Sequence, residues 1–235
     1  MPARSWPLRR LLIRVPVALL AALLAVQLWF AAWLTWYRTH YPLETAFMAR
    51  ELARLQADDP AARLHYTWVD YDRISIHLKR AALAAEDSRF MEHGGIDWDG
   101  VRHALERNRA AGDTVAGGST ISQQLARNLF LSPRRSWPRK AQEVAITLMQ
   151  EQILDKRRIL ELYLNVAEFG EGIFGAEAAA RHFFGKPAAA LTPIEAADLA
   201  ARLPRPRYYH RHGHTDWLLQ YRQIILARMD QVAPP

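Results

Sequence analysis

No cysteine occurs among the 235 residues. Disulfides and thiolate metal sites are therefore excluded, while reducing and oxidising compartments both stay compatible. No stretch alternates polar and apolar residues long enough to make a regular strand, and no segment repeats, which leaves an almost wholly helical chain as the expectation. Acidic residues are missing from Met1 to Arg14, where Arg4, Arg9, Arg10 and Arg14 stand, and again from Arg127 to Lys140, where Arg127, Arg134, Arg135, Arg139 and Lys140 stand. Charge of either sign is missing from Val15 to Tyr37.

The uncharged run is long enough, at about 1.5 Å per residue, to cross a hydrocarbon core of roughly 30 Å. Trp29, Phe30, Trp33, Trp36 and Tyr37 crowd its far end, where aromatic rings favour the headgroup level, and the arginines before it favour the cytoplasmic side. A cleaved signal peptide would have a shorter apolar stretch of about 7–15 residues ending in small residues. The expected organisation is thus a basic cytoplasmic tail over 1–14, an uncleaved transmembrane signal-anchor over 15–37, a stalk over 38–65 and a helical catalytic or binding domain over 66–235. The formal net charge of +7 and pI near 10.0 call for an anionic partner. A domain outside the cytoplasm disfavours nucleic acid.

Within the domain, Ser75 to His93 reads as one helix, with Ser75 as N-cap and Gly94-Gly95 as the stop. On it Glu86, Phe90 and His93 would share a face, spaced i, i+4 and i+7. Alanines and a leucine flank Glu86, and desolvation of a carboxylate favours its neutral form and raises its basicity. Glu86, Asp87 and Arg89 also suit an ordinary solvated helix face. Asp99 is the expected N-cap of a helix over Val101–Ala111. After Gly117-Gly118, the hydroxyls of Ser119 and Thr120 open another helix, on which Thr120, Gln124 and Arg127 form a polar stripe. Glu143 follows Arg139 by four residues and Lys140 by three. It is open to two descriptions, a pair of helix-stabilising ion pairs or a second carboxylate held ionised beside an anion-binding cluster. Thr192-Pro193-Ile194-Glu195 spells a capping box with proline at N1, and a last helix runs from Asp216 to Val232.

Four blocks taken together resemble the peptidoglycan glycosyltransferase family: Glu86-Asp87-Ser88-Arg89-Phe90 with His93, Gly117-Gly118-Ser119-Thr120-Ile121-Ser122-Gln123-Gln124, Arg139-Lys140-Ala141-Gln142-Glu143, and Lys156-Arg157-Arg158-Ile159-Leu160-Glu161-Leu162-Tyr163-Leu164-Asn165. The resemblance covers about residues 66–205. It implies a mainly helical, all-α, lysozyme-like domain behind a single N-terminal membrane helix. The implied activity is inverting transfer from an α-linked lipid diphosphate donor, so that lipid II grows into a β-1,4 glycan strand with release of undecaprenyl diphosphate for cell-wall biosynthesis. The length, short of an appended transpeptidase, implies a monofunctional member.

By the same resemblance Glu86 is the base that takes the proton of the attacking 4-hydroxyl, and Glu143 orients or activates the leaving diphosphate. Arg127, Arg139 and Lys140 stabilise the charge that builds on that group. Ser119, Thr120, Gln123, Gln124 and Asn128 line the cleft, and Asp87, Phe90 and His93 shape it. Arg127 departs from a family lysine, keeping charge while changing reach and hydration. No cofactor is required by the sequence, and a divalent cation (Mg or Mn) at the diphosphate stays open. The implied partners are lipid II, the growing glycan strand, the bacterial inner membrane and other cell-wall synthesis proteins, with the catalytic domain in the periplasm. An apolar face for the prenyl chain would draw on Trp98, Phe130, Trp137 or Phe174. Two rival functions remain on the residues alone: a lysozyme-like lytic enzyme, since carboxylate pairs also serve hydrolysis, and a non-catalytic membrane-anchored scaffold that binds glycan or lipid.

Overall fold

The computed structural model describes residues 6–112, 118–133 and 136–235; Gly117, Arg134 and Arg135 fall outside them. In chain order the elements are α1 (Trp6–Trp36), α2 (Ala46–Asp58), β1 (His65–Tyr66), α3 (Ile76–Glu86), α4 (Trp98–Ala111), α5 (Ile121–Phe130), α6 (Trp137–Ile153), α7 (Lys156–Val166), β2 (Glu168–Gly170), β3 (Ile173–Phe174), α8 (Ala176–Phe184), α9 (Pro193–Arg202), α10 (Pro206–His212) and α11 (Asp216–Arg228). The chain is mainly helical, as its composition and periodicity predict.

The helix at the centre is α7. Its Ile159, Leu160, Leu162, Tyr163, Leu164 and Val166 are all buried to within 1 %. A wide apolar face of this amphipathic helix turns into the core, with Lys156, Arg157, Arg158 and Glu161 on the remaining stripe, and each apolar side chain of that size contributes about 1.5–3 kcal/mol when removed from water. Asp155 starts it, accepting from the Arg158 N–H at 2.7 Å. Helices α5 and α6 pack on one side of it, and α3 packs against α9 and α11. Asn165 ends the buried face by clamping the backbone of Val69, accepting from its N–H at 2.8 Å and donating to its C=O at 2.9 Å. Gly175, at φ +84°, lies so close to Asn165 that a Cβ would stand 2.5 Å from the Asn165 carbonyl oxygen.

Several boundaries differ from the sequence expectation. Helix α3 ends at Glu86, not near His93, so Glu86, Phe90 and His93 do not share a helical face. The cause is Asp87: its backbone is extended and its carboxylate is engaged by a distant helix, as described below. Helix α4 begins at Trp98 and its cap is Asp97, which accepts from the Gly100 N–H at 2.9 Å, while Asp99 instead faces Arg89 at 3.2 Å. Strands too short to show alternation do exist: β1 pairs parallel to β3 and β2 pairs antiparallel to it, giving the order β1-β3-β2. Helix α10 was unforeseen, and α11 gives way to a 3-10 turn at Met229–Gln231.

Residues 13–26 of α1 are exposed throughout, and Ile13–Trp36 has a mean hydropathy of 2.2. Such a helix suits a single membrane span. From Gln27 onward one stripe turns inward. Phe30, Leu34 and Tyr37 are buried in the same core as the domain, and Phe30 meets Phe130 of α5 edge-on at 5.3 Å. Arg158 fastens the end of the span by donating to the carbonyls of Tyr37 (2.7 Å) and His40 (2.6 Å). The segment expected as a stalk supplies α2, which packs on α5 and buries Glu51 between Arg54 and Arg207.

Candidate active site

Glu86 is the last residue of α3, and its position follows from how Asp87 is held. Asp87 Oδ2 accepts from the Ile121 N–H at 3.0 Å, at the N-terminus of α5, where a carboxylate is favoured by the free amides and the helix dipole. Asp87 Oδ1 stands 2.9 Å from His93 Nε2. His93 Nδ1 accepts from the Gly95 N–H at 3.1 Å, so the imidazole hydrogen sits on Nε2 and is donated to Asp87. Gly95 has φ +92°, and a Cβ there would come within 2.8 Å of Glu151 and Thr147, so the loop lies flat on α6. Phe90 is buried beneath it, with the Lys156 ammonium 4.4 Å from its ring centroid. Lys156 also donates to the His93 carbonyl at 2.7 Å and pairs with Glu151 at 2.9 Å. Asp87, Phe90 and His93 thus build the loop under Glu86.

The Glu86 carboxylate is half-buried. It accepts from Gln124 Nε2 at 2.7 Å, and Gln124 Oε1 accepts from the Tyr163 hydroxyl at 3.2 Å. A buried tyrosine therefore fixes the amide that fixes the acid. Tyr221 closes another side, donating to the Ala85 carbonyl at 2.8 Å. Burial pushes the Glu86 carboxyl above its ordinary value; the Gln124 hydrogen bond and Arg127 pull it down, and Asp87 pushes it up again. A carboxylate of this kind binds a proton more tightly than a solvated one.

A cleft of about 550 Å³ opens on the far side of Gln124 and Tyr163, which line it, while Glu86 itself stands behind them and reaches it through Gln124. Gln124, Arg127, Asn128 and Arg139 line it on the α5 and α6 side, with Tyr163 at the floor; Arg50, Arg54, Arg205 and Arg207 line the other side. Among the described residues the cleft wall sets six arginines against two glutamates, Glu51 and Glu168, and both glutamates are tied to Arg207 at 2.8 and 2.9 Å. Burial raises the Glu168 carboxyl to about 7 against the pull of Arg207. The cleft therefore keeps an excess of positive charge suited to a polyanion.

Glu143 sits at the edge of this wall with 2 % of its side chain exposed. Arg139 holds it at 2.8 Å, and Lys140 is bonded to its other oxygen. The two ion pairs of the helical description are thus present, and one of their cations also faces the cleft.

The polar stripe on α5 divides. Gln124 and Arg127 turn toward Glu86 and the cleft. Thr120 is buried as the N-cap, donating to the Gly95 carbonyl at 2.6 Å, and Gln123 completes the capping box by accepting from the Thr120 N–H at 3.1 Å. Both are occupied inside the protein. Ser119 is half-buried just ahead of the cap.

Of the apolar residues considered for a prenyl chain, Phe174 is fully buried and Phe130 packs on α1, while Trp98 and Trp137 are exposed. Tyr163, Tyr221 and Lys156 were not singled out as site residues from sequence. Tyr163 stood within the fourth motif, but nothing local says that its hydroxyl meets Gln124 from another helix. Among the described residues no three His, Asp or Glu side chains converge as cation ligands, and Glu143 is already claimed by two cations.

A family model described as transglycosylase matches residues 52–230. The chain belongs to that family. The biosynthetic peptidoglycan transglycosylase of Azoarcus sp. (strain BH72) is 60 % identical over 198 residues, covering 84 % of this chain and 86 % of that one. Those of Laribacter hongkongensis (strain HLHK9) and Chromobacterium violaceum are 52 % and 51 % identical over 224 and 226 residues, spanning 95 % and 96 % of this chain and 98 % and 99 % of their own. The matched transglycosylase region takes in the whole Glu86 loop, α5, α6, α7, α10 and the second half of α2.

Proposed function

We infer that this transglycosylase is a peptidoglycan glycosyltransferase that polymerises lipid II into β-1,4 glycan strands. The observation that carries the mechanism is a half-buried carboxylate, held by an amide rather than by a cation, beside a cleft rich in arginine. Glu86 takes the proton of the acceptor 4-hydroxyl as that oxygen attacks the anomeric carbon of the donor. Its desolvation makes it basic enough, and Gln124 keeps it aimed. The anomeric carbon to phosphate bond breaks with its electrons passing to the diphosphate. Arg127 and Arg139 lie where that charge accumulates, and Lys140, which shares Glu143 with Arg139, adds to the field. Glu143 serves by holding those two cations in place.

In this reading the arginines and the lysine neutralise the diphosphate. The four arginines before the span support a cytoplasmic N-terminus with the catalytic domain in the periplasm. A lytic function is disfavoured by the charge of the cleft, since hydrolysis of a neutral glycosidic bond leaves no diphosphate to balance. Purified full-length protein supplied with lipid-linked disaccharide should lengthen glycan and release the lipid diphosphate in equal amounts with strand growth. Shortening of preformed glycan, or binding without turnover, would overturn this assignment.

A further inference from the structure

Among the described residues the membrane span meets the catalytic domain through apolar contacts, through Arg158 at its end and through one pair of side-chain amides. Gln27 Nε2 donates to Gln142 Oε1 at 3.0 Å, and Gln142 Nε2 donates back to Gln27 Oε1 at 3.0 Å. Gln27 lies inside the apolar span, where an amide without a partner costs several kcal/mol. Two amides that satisfy each other have one register and one rotation. The aromatic contacts beside them are less demanding: Trp29 and Phe30 approach Phe130 at 6.1 and 5.3 Å, and such packing tolerates sliding. Gln142 is the residue before Glu143, three after Arg139 and two after Lys140, on the same two turns of α6. Arg139, the cation of this group that faces the cleft, therefore stands on the stretch of helix that the span grips.

We propose that Gln27 and Gln142 are positioning residues for the diphosphate-binding cluster, so that the membrane span is a working part of the active site. The pair fixes the rotation and depth of α6, and with it the direction in which Arg139 meets the leaving group. This rests on the glycosyltransferase function inferred above, and the experiment has one arm that does not. In that arm the cysteine-free chain receives Gln27→Cys with Gln142→Cys. A short bifunctional thiol reagent replaces a direct disulfide, because two glutamine-length arms separate the backbones beyond disulfide reach. The pair should link efficiently in vesicles, and a control with Leu28→Cys, whose native side chain is 69 % exposed on another face of α1, should not. Equal linking of the two pairs would overturn the docking.

In the activity arm, full-length Gln27→Leu, Gln142→Leu and the double variant are compared in proteoliposomes containing lipid-linked disaccharide. Each single variant leaves one amide unpartnered, so it should lower the melting temperature and lose on the order of ten-fold in kcat with KM little changed, whereas the double variant should regain the melting temperature and lose no more kcat than either single one. Full kcat in the single variants, or losses that multiply and follow the melting temperature, would overturn the positioning role. A wild-type protein that fails to polymerise would instead sink the functional assignment, leaving the linking result to decide the docking.

Discussion

Two glutamates stand at helix positions a short way from the same cleft, and their surroundings are opposite. Glu86 closes α3 with an amide as its hydrogen-bond donor, a buried tyrosine behind that amide and apolar neighbours, and burial raises its affinity for a proton. Glu143 is more deeply buried yet has an arginine on one oxygen and a lysine on the other. Residue type is the same in both places. The partner decides the use: an acid served by a neutral donor can exchange its proton, whereas an acid flanked by two cations works as a fixed counter-charge.

The largest effect that would sharpen this contrast is expected from Glu86→Gln, which keeps shape and removes the proton acceptor. Polymerisation should fall by about 10²–10⁴-fold, the range supplied by general acid–base catalysis, with no loss of thermal stability. Near-normal glycan synthesis would remove Glu86 from the base role. Glu143→Gln should behave differently, losing both activity and stability. Breaking one member of a buried pair costs about 3–5 kcal/mol, and the exposure of Lys140 puts the expectation at the lower end of that range. A melting temperature unchanged by Glu143→Gln would end the comparison.

The third test is pH. Because the folded Glu86 pKa is raised, the acid limb of the rate profile should lie above the usual carboxylate range, with activity lost as pH falls through it. Stability runs the other way. The folded form binds the proton more tightly than the unfolded one, so the Glu86 contribution is most favourable below the unfolded value and declines as pH rises through the raised one. Glu86→Gln should therefore flatten that decline in pH-dependent melting curves. The smallest effect is expected at Thr120→Ala. Loss of an N-cap costs about 1 kcal/mol, or about 2–4 °C in a chain of this size, while kcat at a permissive temperature stays near wild type. A selective rise in KM for the lipid-linked substrate would return Thr120 to the cleft.

Much of the helical frame was legible because its signals are local. Thr192 and Glu195 spell a capping box, and the Glu195 carboxylate accepts the Thr192 N–H at 2.8 Å. Trp137 and Pro138 begin α6 where expected, with Ser136 as cap. The end of α3 was not legible, since the partner that halts it, the amide of Ile121, is 34 residues further along. Nor could spacing tell Gln124 from Thr120 on one stripe: the first residue is recruited by Glu86 and Tyr163, the second by its own helix end and Gly95. The cleft-facing arginines of α2 and α10 were overlooked because their helices reach the site only through tertiary packing.

The firm seat of α1 against α5 and α6 also bears on how a substrate arrives. Those two helices form one wall of the cleft, so the cleft is carried close to the surface of the bilayer and cannot swing away on a loose leash. A lipid-linked sugar then reaches it by lateral diffusion in a sheet, where local concentration is set by membrane composition rather than by the volume of the surrounding fluid. Any blocking compound that dissolves only in water competes at a disadvantage, and one that partitions into lipid begins its search already in the right plane.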